Sequence, residues 1–356
     1  MQKLLVTQCE RQEREMQMRD DLGITTKLEN GKAYLEFVLP EKIGRLLSAL
    51  QIEIWEEAEG GRLVFHGEYS SEEADSMTAL LLRPHLWDGM RDPYVYLVKA
   101  QGRFRSVEYG EKMGGMEKEE KLDPAEDITG EVEMYWQQEL TIYDVRVVDK
   151  KGIFLNEKEF LPHEVVYRLP TQISDAGTRV EQVRRDLERL ARMGVNAIRL
   201  EGTGSGAERQ NCYEMRAFYR LCRRGGFLTG DLWIRPENLP VYRGLPRETS
   251  KEVLLSADGR TLTERYYYYQ AKWSSEPVLY PVLSTLHRQE NGLLSLTIYS
   301  NQKKVVLYVD GLLFLFQTAT SCDPEFIFED IPVEKLPLHL AVEAGNLSIS
   351  LTVSKI

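Results

Sequence analysis

Apolar and polar positions alternate along this chain with two different periods, and the change of period divides it. Up to about residue 108 the alternation is two-residue. It runs through Lys3–Thr7, Ala33–Val38, Ala49–Glu53, Leu63–His66 and Tyr94–Lys99, separated by turn-forming runs at Glu29–Gly31, Pro40–Gly44 and Glu59–Gly61. Several short strands over that length predict a small immunoglobulin-like β-sandwich. The charged, glycine-bearing stretch 110–130 reads as a surface loop. Strand character returns in two pieces over Glu131–Val148, and a hairpin with Asn156-Glu157 at its turn leads to a candidate parallel strand at Val165–Leu169.

The period then lengthens. Val183, Leu187, Leu190 and Ala191 recur at three- and four-residue spacing and predict a helix over Thr178–Arg192. Gly194 supplies a C-cap, and the apolar run Val195–Leu200 reads as a buried strand. A second helix over Tyr213–Arg224, closed by Gly225-Gly226, and a third short strand in Phe227–Trp233 complete a β/α succession. Arg265–Lys272 reads as a strand with Tyr266–Tyr269 on alternating faces. From Leu293 onward the two-residue period returns, with Asp310-Gly311 as a hairpin turn. The expected fold class is multidomain α+β. An immunoglobulin-like sandwich spans 1–140, a truncated (β/α) TIM-barrel-like domain 141–265 and a C-terminal β-sandwich 266–356.

Composition narrows the partners. The 356 residues carry a formal charge of −11, which disfavours nucleic acid and anionic membranes and is compatible with a neutral partner such as a carbohydrate. The four cysteines, Cys9, Cys212, Cys222 and Cys322, form neither a disulfide framework nor a zinc pattern. Gly202–Gly206 has neither dinucleotide-loop spacing nor a P-loop lysine, so no cofactor or metal is expected. No signal peptide or apolar span is readable, which points to a cytoplasmic location.

Several pieces, in order, resemble glycoside hydrolase family 2, the β-galactosidases, β-glucuronidases and β-mannosidases. Pro84-His-Leu-Trp87 through Asp92-Pro-Tyr-Val-Tyr-Leu97 is similar to the run closing that family's immunoglobulin-like domain. Asp144–Val148 with Gly152-Ile-Phe-Leu-Asn156 is similar to the run leading into its barrel. Arg185-Asp186 with Met193-Gly-Val-Asn-Ala-Ile-Arg199 resembles its second helix and following strand, and Phe218-Tyr-Arg-Leu-Cys222 the next helix. Arg265–Trp273, Glu276-Pro277, Tyr299-Ser-Asn301 and Leu307-Tyr-Val-Asp-Gly311 are similar to the barrel exit and the sandwich beyond.

The departures matter more than the matches. The resemblance implies an amino-terminal jelly roll that is missing here. It also implies histidines where the chain has His163-Glu164 and Gly202, and an Asp-Glu where it has Asp231-Leu232. A complete barrel needs about 250 residues. Both of the family's catalytic glutamates would fall in the missing half, after Trp233, where only a reversed Glu237-Asn238 occurs. The remaining carboxylates at strand ends are Glu201, Asp231 and Glu164. Retaining hydrolysis needs two carboxylates about 5 Å apart, and inversion a wider pair. Trp233, Arg199 and Asn196 are the substrate-binding candidates, with Trp87, Trp136 and Trp273 as further rings for sugar stacking. The favoured expectation is a protein without glycosidase activity that keeps a carbohydrate-binding, structural or oligomeric role, self-association covering its open sheet edges. The alternative is a divergent glycosidase using Glu201 and Asp231 or a partner chain's carboxylates.

Overall fold

The structure is a computed structural model that describes residues 22–56, 61–107, 128–148, 151–170, 175–201, 211–229, 239–243, 252–256, 259–320 and 323–355. The chain forms two compact units, Met1–Leu161 and Pro162–Ile356. The architecture is multidomain α+β: antiparallel sheets in both units and one five-stranded parallel sheet resembling a truncated TIM barrel. The expected strand at Lys3–Thr7 and most of the 110–130 loop lie outside the described residues.

In the first unit, strands β1 (Gly23–Glu29), β2 (Lys32–Val38) and β5 (Thr78–Leu82) make one sheet in the order β1-β2-β5. Strands β3 (Leu47–Glu56), β4 (Leu63–Ser70), β6 (Tyr96–Val107) and β7 (Ile128–Leu140) make a second, β4-β3-β6-β7. Alternation decides what lies between them. Ala33, Leu35 and Phe37 of β2 and Leu50, Ile52 and Ile54 of β3 are buried, and the residues between them are exposed or half-buried. A small third sheet joins β8 (Val145–Val148), β9 (Gly152–Leu155) and β10 (Lys158–Phe160). Its turn is the expected Asn156-Glu157, both residues at positive φ, 49° and 67°. Asn156 Nδ2 donates to the Trp87 carbonyl at 2.9 Å, which ties this hairpin to the end of the sandwich.

The second unit opens with the β/α succession. Strand β11 (Glu164–Arg168) is followed by helix α1 (Ala176–Met193), β12 (Ala197–Glu201), helix α2 (Asn211–Arg224) and β13 (Leu228–Thr229). Asp175 caps α1, its carboxylate accepting the Thr178 amide at 2.6 Å. Gly194 ends the helix at φ 90°. Strands β14 (Val241–Arg243) and β15 (Val253–Leu255) then add on the far side of β11, giving the parallel order β13-β12-β11-β14-β15. Strand β11 is thus flanked by β12 on one side and by β14 on the other.

The run read as a strand with alternating tyrosines is instead helix α3 (Glu264–Trp273). At 100° per residue, four consecutive tyrosines point four ways. The Tyr266 hydroxyl reaches the Arg189 carbonyl of α1 at 3.0 Å, and Tyr267 stacks on Tyr280 at 3.8 Å. Tyr268 meets Tyr299 edge-on, and Tyr269 donates to Glu252 at 2.8 Å. Each ring has its own tertiary partner, and those contacts override the β preference of aromatic residues. The C-terminal sandwich comprises β16 (Leu279–Arg288), β17 (Leu294–Ser300) and β20 (Glu325–Ile331), facing β19 (Leu312–Thr318), β18 (Lys304–Val309), β21 (Leu338–Ala344) and β22 (Leu347–Val353). Leu296, Ile298, Leu307, Phe328, Leu340 and Val342 fill its core.

Candidate functional site

The register of the parallel sheet determines what its polar residues can do. Glu164 lies opposite Ala197, Val166 opposite Arg199, and Arg168 opposite Glu201, so the alternate residues of both strands share one face. Tyr167 leaves by the other face, toward the helices, where its ring stacks on Phe218 at 5.3 Å and on Tyr242 at 5.7 Å. The shared face therefore carries two acid–base pairs. Arg199 Nε donates to Glu164 Oε1 at 3.0 Å, and Arg168 Nε donates to Glu201 Oε2 at 2.6 Å.

These pairs sit at opposite ends of the sheet. Glu164 begins β11 and Glu201 ends β12, a separation of about 13 Å along the strands at ~3.3 Å per residue. Glu164 is buried together with its arginine, a desolvated charge held by its counter-ion. Glu201 is at the carboxyl end, where parallel sheets carry their chemistry, and its side chain is half exposed. Its arginine also donates to the Arg243 carbonyl at 3.2 Å. Arg168 thereby links β11 to both neighbouring strands across the point where strand order reverses, the usual crevice for a ligand. Asp231 and Trp233 lie outside the described residues.

The other binding candidates do structural work. Asn196 accepts the His163 amide on Oδ1 at 2.7 Å, and its own carbonyl accepts Leu228 at 2.9 Å, so it registers β11, β12 and β13 at their amino ends. His163 stacks on Trp273 at 5.2 Å and bonds the Gly194 carbonyl through Nδ1, and burial pushes its imidazole below the ordinary histidine value. Trp87 and Trp136 are buried in the first unit, and Trp136 also lines a groove on β3, β6 and β7.

Asp186, part of the run that resembles the family's second helix, is the centre of a buried network that the sequence does not announce. Fully buried on α1, its Oδ2 accepts Tyr167 at 3.0 Å and Arg243 at 2.8 Å, while Oδ1 accepts Tyr242 at 3.1 Å and Gln182 at 2.8 Å. Burial, followed by the nearby carboxylate, pushes the hydroxyls of Tyr167 and Tyr242 well above the ordinary tyrosine value, so both remain donors. The available signal was positional: an aspartate three residues after Val183 and four before Leu190, on the apolar stripe. With every acceptor direction taken, Asp186 is a tie between helix and sheet and not a proton donor to a substrate.

An open concavity lies in the first unit. On the outer face of β3, β6 and β7, a groove of about 290 Å³ is lined by Gln51, Glu53, Lys99, Gln101, Tyr135 and Gln137. Tyr135 is 67% exposed, accepting from Gln101 at 3.0 Å and donating to Glu133 at 2.5 Å. Trp55 donates its indole N–H to Glu53 at 3.0 Å. The recess by Leu169 and Phe218 holds only about 10 Å³, a single water's worth. Among the described residues no group of three or more His, Cys, Asp or Glu is placed to hold a metal ion, and no helix is long and apolar enough to cross a membrane.

At the level of sequence the chain matches no protein-family model and no curated protein. At the level of structure it is similar to an FMN-binding β-glucuronidase from Facaelibacterium prausnitzii L2-6, with TM-score 0.64 and 13% identity over 95% of this chain and 74% of that one. A putative β-galactosidase from Bacteroides fragilis gives TM-score 0.56 and 13% identity over 93% and 72%. The β-glucuronidase of Parabacteroides merdae gives 0.58 and 12% over 93% and 63%, so the chain spans about three-fifths to three-quarters of these enzymes. The fold is that of the family 2 β-glucuronidases and β-galactosidases, at low identity and partial length.

Proposed function

We propose that this chain is a family 2-like protein without glycosidase activity that retains a carbohydrate-binding or structural role. The observation that carries the proposal is the pairing on the parallel sheet. Glu164 and Glu201 stand at opposite ends, each neutralised by an arginine, and they are too far apart to share the anomeric carbon in the retaining arrangement. A proton donor must come within hydrogen-bond reach of the leaving oxygen, directly or through one water, and Glu164 is instead buried against Arg199. The groove beside Tyr135 supports a binding role: an exposed ring for a sugar face, with amides and carboxylates for its hydroxyls, is the polar–aromatic lining that orients a small ligand. A cytoplasmic location and neutral oligosaccharide ligands complete the proposal.

The experiment is a panel of aryl β-glycosides, glucuronides included, assayed beside glycan binding by calorimetry. The expected result is no turnover, with binding that Tyr135→Ala weakens. Turnover that survives purification would overturn the proposal. The second reading, a divergent glycosidase, draws on Glu201 lying at the carboxyl end of β12. It requires that any turnover vanish in both Glu201→Gln and Asp231→Asn.

A further inference from the structure

The C-terminal sandwich has four edge strands, and they differ in how they resist pairing. Strand β16 contains Pro281 and a register break between Val282 and His287. Strand β20 carries Glu325, Glu329 and Asp330, and the exposed positions of β22 are Ser348, Ser350 and Thr352. Proline, a register break and charge are devices by which natural sheets avoid edge-to-edge association, and the exposed side chains of β22 are small and polar. Strand β19, Leu312–Thr318 (LLFLFQT), shares only the register break, and most of its exposed side chains are apolar. It carries no charge and no proline, and its side chains are exposed at Leu312 (75%), Leu313 (59%), Leu315 (42%) and Phe316 (51%). Among the described residues it pairs as a strand only with β18, and it touches β20 through Gln317, whose Nε2 donates to the Ile327 carbonyl at 2.6 Å.

The bulge itself sorts the side chains. Leu307 faces Leu315, but the next residue, Tyr308, faces Leu313, so Phe314 is the inserted residue. Phe314 packs against the sandwich core, and Leu315, opposite buried Leu307, lies at the core's open side. Leu313 and Phe316 stand on the outer face, opposite Tyr308 and Val306. The edge is therefore apolar on both faces, the pattern of an interior strand that is missing a neighbour.

We infer that β19 pairs with β19 of a second copy of this chain, antiparallel about a two-fold axis near Leu315, to form one continuous eight-stranded sheet. Two arguments select a second copy. The first is area: at about 200 Å² for a fully exposed Leu or Phe, the four side chains leave about 450 Å² on each copy, and pairing both copies with their backbones reaches the ~1,000 Å² of a specific interface. The second is charge. Asp310 marks the amino end of β19, while Lys304, opposite Thr318, and Lys303, whose carbonyl accepts the Ala319 amide, mark its carboxyl end. Antiparallel pairing brings the acidic end of each copy toward the basic end of the other, whereas parallel pairing sets like charges together. A chain of net charge −11 also needs an uncharged strip to approach its own copy, and β19 supplies one. An interface of this size makes a dimer whose population depends on concentration.

Sedimentation velocity across a concentration series tests this with the full chain. The expected result is a monomer–dimer equilibrium. Leu315→Lys and Leu315→Glu each set like charges against their own copy and weaken the dimer by at least about tenfold. An equimolar mixture of the two variants restores it, an outcome that a mere folding defect does not produce. Leu313→Lys, on the outer face, repeats the test where the core is not touched. Ser350→Lys on β22 leaves the equilibrium unchanged. A wild-type chain that stays monomeric, open-ended aggregates in place of a dimer, or a mixture that fails to reassociate overturns the inference.

Discussion

Replacing Asp186 with asparagine tests whether one buried carboxylate holds the parallel sheet to its first helix. Each of its oxygens receives two donors, Tyr167 and Arg243 on one and Tyr242 and Gln182 on the other. An amide of the same shape offers one oxygen and one NH2 group, so in either orientation its NH2 confronts two donors. Arg243, with a side chain only 13% exposed, meanwhile loses its counter-charge. Removing one member of a buried ion pair costs about 3–5 kcal/mol. For a unit the size of Pro162–Ile356, each kcal/mol lowers the melting temperature by about 2–4 °C, so a fall of about 6–20 °C is expected. Tyr167→Phe, which removes one hydrogen bond and leaves the charges matched, costs about 1 kcal/mol. Scanning calorimetry of wild type, Asp186→Asn and Tyr167→Phe decides the matter. If Asp186→Asn melts within about 3 °C of wild type, or no lower than Tyr167→Phe, the carboxylate is not the tie described here.

Three further outcomes follow from the same geometry. Glu201→Gln, in a pair whose carboxylate is half exposed, changes stability by less than about 1 kcal/mol in urea titration, in contrast to Glu164→Gln, whose buried arginine loses its partner and costs about 3 kcal/mol or more. Gly194→Ala forces an L side chain to φ 90° with its Cβ 2.4 Å from the Trp273 carbonyl oxygen, and a loss of about 2–4 kcal/mol in the same titration is expected. His163 is held below the ordinary value of 6.5 by burial, so the unfolded chain binds its proton first as pH falls. Its contribution is complete above 6.5 and is lost as pH drops through the lower folded-state value. A smaller acid-side loss of stability in His163→Gln than in wild type checks this, and parallel profiles refute it.

Much of the fold was legible because alternation is a local property. Phe37, Ile52 and Leu307 are buried where a period of two puts them, and Val183, Leu187 and Leu190 where a period of 3.6 does. Gly194 and Asn156-Glu157 were legible as a cap and a turn, because positive φ is a demand on the residue itself. The tyrosine run at 266–269 was not legible. Its helix is selected by Tyr280, Tyr299, Glu252 and the Arg189 carbonyl, partners from elsewhere in the chain. Tyr135 was not legible as a binding residue for a related reason: a ring on a strand is ordinary until its neighbouring strands shape a groove around it.

The sequence by itself determined most of the elements and the β/α order, because a hydrophobic period needs no partner to be read. Tertiary structure decided the rest. Only the parallel register sets Glu164 against Arg199 and Glu201 against Arg168, at opposite ends of the sheet. Only the packing of α1 on β11 and β14 turns Asp186 from one more charge on a helix into a buried acceptor of four donors. A charge acquires its role from the groups that fold against it, and those groups are distant in sequence.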